Sequence, residues 1–119
     1  MTGDTEPEVR RGDVVIVRLD PAEGSEMKKT RPAVIVQNDI GNRNANTTII
    51  APATRTHRGY PFEVLVEADD SPFESDSSVR LDQIRVVSVD SRIHSVVGRL
   101  DEQRMAEIDD ALKLSLGLD

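Results

Sequence analysis

Apolar residues fall in short bursts along this chain, each closed by turn-forming or charged residues, until the period changes near the C-terminus. Val14–Leu19 lies between Gly12-Asp13 and Asp20-Pro21 and predicts a strand. Ala33–Gln37 is a second, apolar on both faces, and Thr47–Ala51 a third. Between them Asn38–Asn46, dense in Asn, Asp and Gly, predicts a turn or a single helical turn. Pro52 has no N–H for a ladder, so it is expected to mark the third strand's end or an edge. Phe62–Glu67 alternates as a half-buried strand does, Ala68–Ser78 is a polar loop, and Val79–Leu81, Ile84–Val89 and His94–Val97 complete the strands. Met105, Ile108, Leu112 and Leu116 then recur at helical spacing with Ala111 alongside. Asp101 is placed to cap that helix and Gly117 to end it, and its stripe is expected to pack on the protein's own sheet. Short strands at close intervals and one amphipathic helix predict a mainly β domain, a small antiparallel barrel or curled sheet.

Composition narrows the chemistry. A length of 119 residues suits one domain, with residues 1–9 read as a disordered tail and 10–119 as the folded unit. Tyr60, Phe62 and Phe73 are the whole aromatic set, so Val, Ile and Leu must build the core. The same scarcity disfavours a stacking platform for single-stranded bases. Absence of cysteine excludes disulfides, thiolate nucleophiles and zinc ribbons. The first eleven residues are charged and polar and no apolar run approaches spanning length, so a cytoplasmic protein without a membrane partner is expected. Lysine is confined to Lys28, Lys29 and Lys113, a usage that suggests a salt-adapted or GC-rich source.

The net charge of −7 argues at first against a polyanionic ligand. Its distribution argues the other way. Lys28, Lys29 and Arg31 share one loop and Arg55, His57 and Arg58 another, while the acids gather in 4–8, 69–76 and 101–110. A locally basic groove on an acidic body can still receive a polyanion.

Arg31-Pro32 is the most suggestive local feature, since proline restricts the preceding backbone and the guanidinium is a planar fork suited to phosphate oxygens. Such a group stabilises a pentavalent phosphorane without a metal; alone, the dipeptide also fits a surface salt bridge. Thr54, after the third strand, matters only if folding brings its hydroxyl near Arg31. His57 and His94 invite a two-imidazole ribonuclease scheme. However, His94 lies in an apolar strand and reads as structural, and His57 has no partner identifiable from spacing. Neither HExxH nor an EF-hand spacing occurs, so no metal or cofactor is expected. Phosphate-loop and G-x-S-x-G motifs are also missing, which disfavours ATP chemistry and serine hydrolysis.

Several blocks in order carry a resemblance. Arg11-Gly12-Asp13-Val14, Gly24-Ser25-Glu26, the run from Arg31-Pro32 to Asn38-Asp39, Gly41-Asn42, Asp82-Gln83-Ile84-Arg85 and the terminal Ala111–Leu118 together resemble the MazF/PemK family of toxin endoribonucleases. The resemblance implies an SH3-like β-barrel with a C-terminal helix, assembled as a homodimer. It implies a sequence-specific, metal-independent endoribonuclease, the toxin of a type II toxin–antitoxin system. Single-stranded messenger RNA would be cut to 2′,3′-cyclic phosphate and 5′-OH ends, and the antitoxin would carry an acidic disordered segment. Arg31 and Thr54 fall on the family's catalytic arginine and threonine, Gly24–Thr30 on the mobile loop over the RNA, and Ser25 and Gln83 on groove positions. With the basic side chains Lys28, Lys29, Arg55, His57 and Arg58 these form the expected RNA-binding set. The loops 55–61 and 69–78 follow no strong family pattern, which leaves the cleavage sequence open. Two other classes remain: a gyrase-poisoning toxin on the same barrel, disfavoured by an end without an aromatic residue, and a non-catalytic RNA-binding module.

Overall fold

In the computed structural model, residues 8–21, 23–27 and 29–118 are described; residues 1–7 of the expected tail, Ala22, Lys28 and Asp119 lie outside them. The elements are β1 (Asp13–Arg18), β2 (Thr30–Ile35), α1 (Asp39–Asn44), β3 (Thr47–Thr54), β4 (Glu63–Val66), β5 (Ser77–Arg80), β6 (Arg85–Ser88), α2 (Val89–Arg92), β7 (Ile93–Arg99) and α3 (Glu102–Leu116). The strands form one antiparallel seven-stranded sheet in the order β4-β5-β3-β2-β1-β7, with β6 also on β3. No ladder joins β4 to β7 among the described residues, so the curled sheet is a barrel left open on one side.

Hydrophobic clusters cover both faces of the central strands, which is why β1 and β2 read as continuous apolar runs rather than alternating ones. On one face Val14, Val34, Ala51, Val66, Val79 and Leu81 pack against Ile108 and Ala111 of α3. On the other, Val15, Val17, Ala33, Ile35 and Ile50 pack with Val9, Leu19 and Val87. Ile108 is fully buried and is the helix's main anchor; complete burial of such a side chain contributes about 1.5–3 kcal/mol. Asp101 caps α3 by accepting from the Arg104 N–H at 2.8 Å, and Gly117 ends it in the left-handed region at φ 71°. Leu116, expected in the buried stripe, is half exposed.

Arg11 joins three elements. Its N–H donates to Asp39 Oδ1 at 2.8 Å, its Nε to the Val36 carbonyl at 3.1 Å, and its guanidinium pairs with Asp109 of α3. Burial pushes the Asp39 carboxyl upward, but hydrogen bonds from the Arg11 backbone and Asn42 and the fields of Arg99 and Arg43 outweigh it, leaving Asp39 below its ordinary value.

Several expectations need correction. Pro52 does not end β3, which runs on to Thr54. The Val36 N–H bonds the Ile49 carbonyl, so Ile49, Ala51 and Ala53 aim their backbone groups at β2, and Pro52 aims away. On that far side β3 changes partner, from β6 along Thr47–Ile50 to β5 along Ala53–Thr54. Pro52 occupies the handover, where no N–H is required. The polar stretch 68–78 holds a 3-10 turn and yields its end to β5, and α2 follows β6 without a sequence signal long enough to predict it. His94 belongs to β7 but is exposed, because β7 is an edge strand, and so is not a core histidine.

Candidate active site

The ladder between β2 and β3 ends where its chemistry runs out. Val36 donates to β3 while Ile35 accepts from Gly12 on the opposite side, so alternate residues of β2, including Pro32, face β3. Pro32 has no N–H to offer. The last ladder pair is Ala33 with Pro52, and past it the strands part. The same register carried two residues further sets Arg31 opposite Thr54. In that gap opens a cleft of ≈ 590 Å³, lined from one side by Thr30, Arg31, Pro32, Ala53, Thr54 and Arg55.

The opposite wall comes from the segment before β5. Phe73 is buried in the helix-side core, and Pro72 lies against Gly98 of β7, where an added Cβ would meet Pro72 Cγ at 2.5 Å. Two anchors therefore hold Glu74 and Ser75 at the cleft, with Ser77 beside them. Sequence reasoning missed this wall. Its one signal was the lone Pro72-Phe73 pair in an otherwise polar run, the pattern of a loop pinned to a core.

Arg31 is half-buried in β2, paired in register with Val17. Just before it Lys29 takes φ 72°, uncommon for a side-chain-bearing residue. This turn is held by its N–H donating to Asp20 Oδ1 at 3.1 Å and its carbonyl accepting from Leu19 at 2.9 Å. Thr54 Oγ1 accepts from the Thr56 N–H at 3.5 Å, which leaves the hydroxyl hydrogen to donate.

Of the residues expected to contact RNA, Arg55 joins Arg31 and Thr54 at this cleft. Gln83 lines a separate pocket of ≈ 210 Å³ with Glu26, Met27 and Arg85, and accepts from the Met27 N–H at 3.4 Å, tying the β1–β2 loop to the turn before β6. Ser25 is exposed on that loop, and Lys28 lies outside the described residues. His57 lines a third groove, facing Glu107 and Asp110 of α3, and Arg58 is exposed on the β3–β4 loop. Glu63, not singled out from sequence, is buried behind that loop. Its Oε2 accepts from the N–H groups of Tyr60 at 2.9 Å and Arg58 at 3.3 Å, and Oε1 from the Ser78 hydroxyl at 3.0 Å. Burial raises the Glu63 carboxyl, but these bonds and the nearby Arg80 guanidinium outweigh it and hold the group below its ordinary value. Arg80, bonded through Nε to Asp82 at 2.8 Å, is raised in turn. Among the described residues no group of three or more His, Asp or Glu side chains is placed to hold a metal ion.

These features define a class: a small curled antiparallel sheet with a C-terminal helix, whose central strands part to present an arginine and a threonine to one cleft. The family is equally plain. A model of PemK-like, MazF-like toxins of type II toxin–antitoxin systems matches residues 10–116, and the chain belongs to that family. It is 39% identical over 112 residues to Endoribonuclease EndoA of Bacillus subtilis (strain 168), covering 92% of this chain and 96% of that protein. Among solved structures, MazF from Deinococcus radiodurans superposes with a TM-score of 0.81 at 26% identity, over 96% of this chain and 99% of the other. An endoribonuclease from Mycobacterial species, in complex with its cognate antitoxin, gives a TM-score of 0.79 at 26% identity over 93% and 97%.

Proposed function

We propose that this protein is the toxin of a type II toxin–antitoxin pair and an endoribonuclease that cuts single-stranded RNA, chiefly messenger RNA, in a sequence-specific manner and without a metal ion. The family match and the 39% identity to an endoribonuclease support the activity. The observation that carries the mechanism is that Arg31 and Thr54, far apart in sequence, line one cleft.

The substrate's 2′-OH gives up its proton to water and attacks the adjacent phosphorus, and the 5′-oxygen leaves with a proton taken from water, giving a 2′,3′-cyclic phosphate and a free 5′-OH. Negative charge grows on the non-bridging oxygens as the phosphorane forms. Arg31 meets that charge with a fixed cation, worth more in a partly desolvated cleft than in water. A guanidinium is a permanent cation and offers no lone pair to a proton, so its role is electrostatic. Thr54 donates its hydroxyl hydrogen to one non-bridging oxygen, and Arg55 steers the backbone into the cleft. Ser25 and Lys29 on the β1–β2 loop, Gln83 on the turn before β6 and Arg58 on the β3–β4 loop extend the contact surface. Their spread over separate grooves suits a long single strand better than a mononucleotide.

The antitoxin that fits is an acidic, partly disordered peptide competing for the same cationic ground; that a partner antitoxin exists is supported by the mycobacterial relative, found in complex with its own. A homodimer is the expected assembly, and a messenger RNA substrate puts the toxin in the cytoplasm. Among the described residues no helix is long and apolar enough to cross a membrane. Incubating the pure protein with a long single-stranded RNA in EDTA tests the activity, and mapping the product ends tests the chemistry. Fragments with 5′-OH and cyclic phosphate termini are expected. Intact RNA with and without EDTA would contradict the proposal and favour a protein-targeting or purely RNA-binding role, and cleavage lost only on adding EDTA would contradict the metal-independent chemistry.

A further inference from the structure

The β3–β4 loop leaves Thr54 and returns at β4 through a string of polar contacts that the mechanism above does not use. The Ser78 hydroxyl donates to Glu63 Oε1 at 3.0 Å, and His57 Nδ1 lies 2.9 Å from the same hydroxyl oxygen. Ser78 is fully buried, and in the β3–β5 ladder it is paired directly with Thr54. A hydroxyl has one hydrogen, and Ser78 gives it to the carboxylate. The His57 contact must therefore be an Nδ1–H donating to Ser78, which fixes the neutral imidazole in one tautomer. The remaining carboxylate oxygen takes the N–H groups of Arg58 and Tyr60. Glu63 thus fastens three residues of one loop: Arg58 and Tyr60 directly, and His57 through Ser78.

Arg55 lies between two fixed points, Thr54 in the ladder and His57 in this string, and is itself at the cleft. His57 turns instead toward the helix-side groove. We infer that Glu63, Ser78 and His57 are positioning residues that hold Arg55 at the RNA cleft, so that His57 acts as an anchor of the loop and not as an RNA contact. The inference rests on the proposed nuclease reading. Substrate affinity, more than the chemical step, should report it, because Arg55 meets the RNA backbone and not the developing charge that Arg31 and Thr54 meet.

Glu63→Gln separates this role from simple packing. An amide of nearly the same shape keeps an acceptor for the Tyr60 and Arg58 N–H groups but turns an N–H toward Ser78. The Ser78 hydroxyl then accepts from Gln and donates to His57, which must switch to the Nε2–H tautomer. Nitrogen-15 NMR of the imidazole reads that switch directly, and an Nδ1–H signal unchanged by Glu63→Gln would overturn the proposed polarity. In the cleavage assay, Glu63→Gln and Ser78→Ala should each raise KM for RNA about tenfold, the scale of losing one charge-assisted hydrogen bond, with kcat changed less than about threefold. In an Arg55→Ala background the same substitutions should change KM little, since their effect passes through Arg55. Equal KM effects in both backgrounds, or none in either, would overturn the inference. A wild-type protein that leaves RNA intact would instead sink the nuclease reading, and the NMR result would still stand or fall by itself. Should Glu63→Gln fail to fold, Ser78→Ala and the wild-type tautomer decide the matter.

Discussion

Arg31 and Thr54 reach one cleft because Pro32, next to the last ladder pair, has no N–H to donate across to β3. Loss of a single donor to a developing oxyanion lowers rates by about 10²–10³. Thr54→Val, which keeps the shape and removes the hydroxyl, should therefore lower kcat by about 10²-fold with folding preserved, while Thr54→Ser keeps most of it. Single-turnover rates beside circular dichroism check this, and a Thr54→Val protein as fast as wild type would remove Thr54 from the mechanism. The Arg-Pro pair was legible in sequence because proline's limits are local. Glu63 was not: its donors at Arg58 and Tyr60 are local, but the Ser78 hydroxyl that completes the set is brought to it only by the pairing of β4 with β5. His94 misled for the converse reason: its apolar neighbours made a core pattern, but burial depends on a strand on the far side, and β7 stands at the sheet's edge.

At the scale of elements, the segment before β5 makes the cleft by being pinned at both Pro72 and Phe73. Gly98 is the seat of the first pin, since any Cβ there collides with the proline ring. Gly98→Ala should destabilise the fold by about 1–3 kcal/mol, the usual result of overpacking, and raise KM for RNA as the wall is displaced. Urea denaturation with the cleavage assay reads both; a variant unchanged in stability would mean the segment yields without strain. The helix ends were readable because caps are local chemistry, and Asp101→Ala should lower stability by about 1 kcal/mol. Strand extents were less readable. Ser77 and Ser78 carry no β-favouring signal, and they enter β5 because β4 offers them a ladder.

For the whole molecule, acid stability follows from two carboxylates. Asp39 and Glu63 both titrate below their ordinary values when folded, so each contributes stability above the unfolded values, ~3.9 and ~4.3, and loses it as pH falls through the folded ones. The urea midpoint should drop on acidification below about pH 4–5, and Glu63→Gln should make that drop shallower; parallel curves for the two proteins would contradict the assignment. An overall charge of −7 does not by itself oppose a polyanion at the cleft, where Arg31 and Arg55 outnumber the one carboxylate, Glu74, among the lining residues. The fold as a whole followed from the spacing of apolar residues, but the cleft is a tertiary object made by strands parting and a loop crossing, which no linear pattern displays. The most direct test is the single-turnover cleavage rate of a long single-stranded RNA in EDTA by wild type and by Arg31→Ala at equal stability. Wild type should give 5′-OH fragments, and the variant should be slower by about 10²–10³; near-equal rates would remove Arg31 from the chemistry.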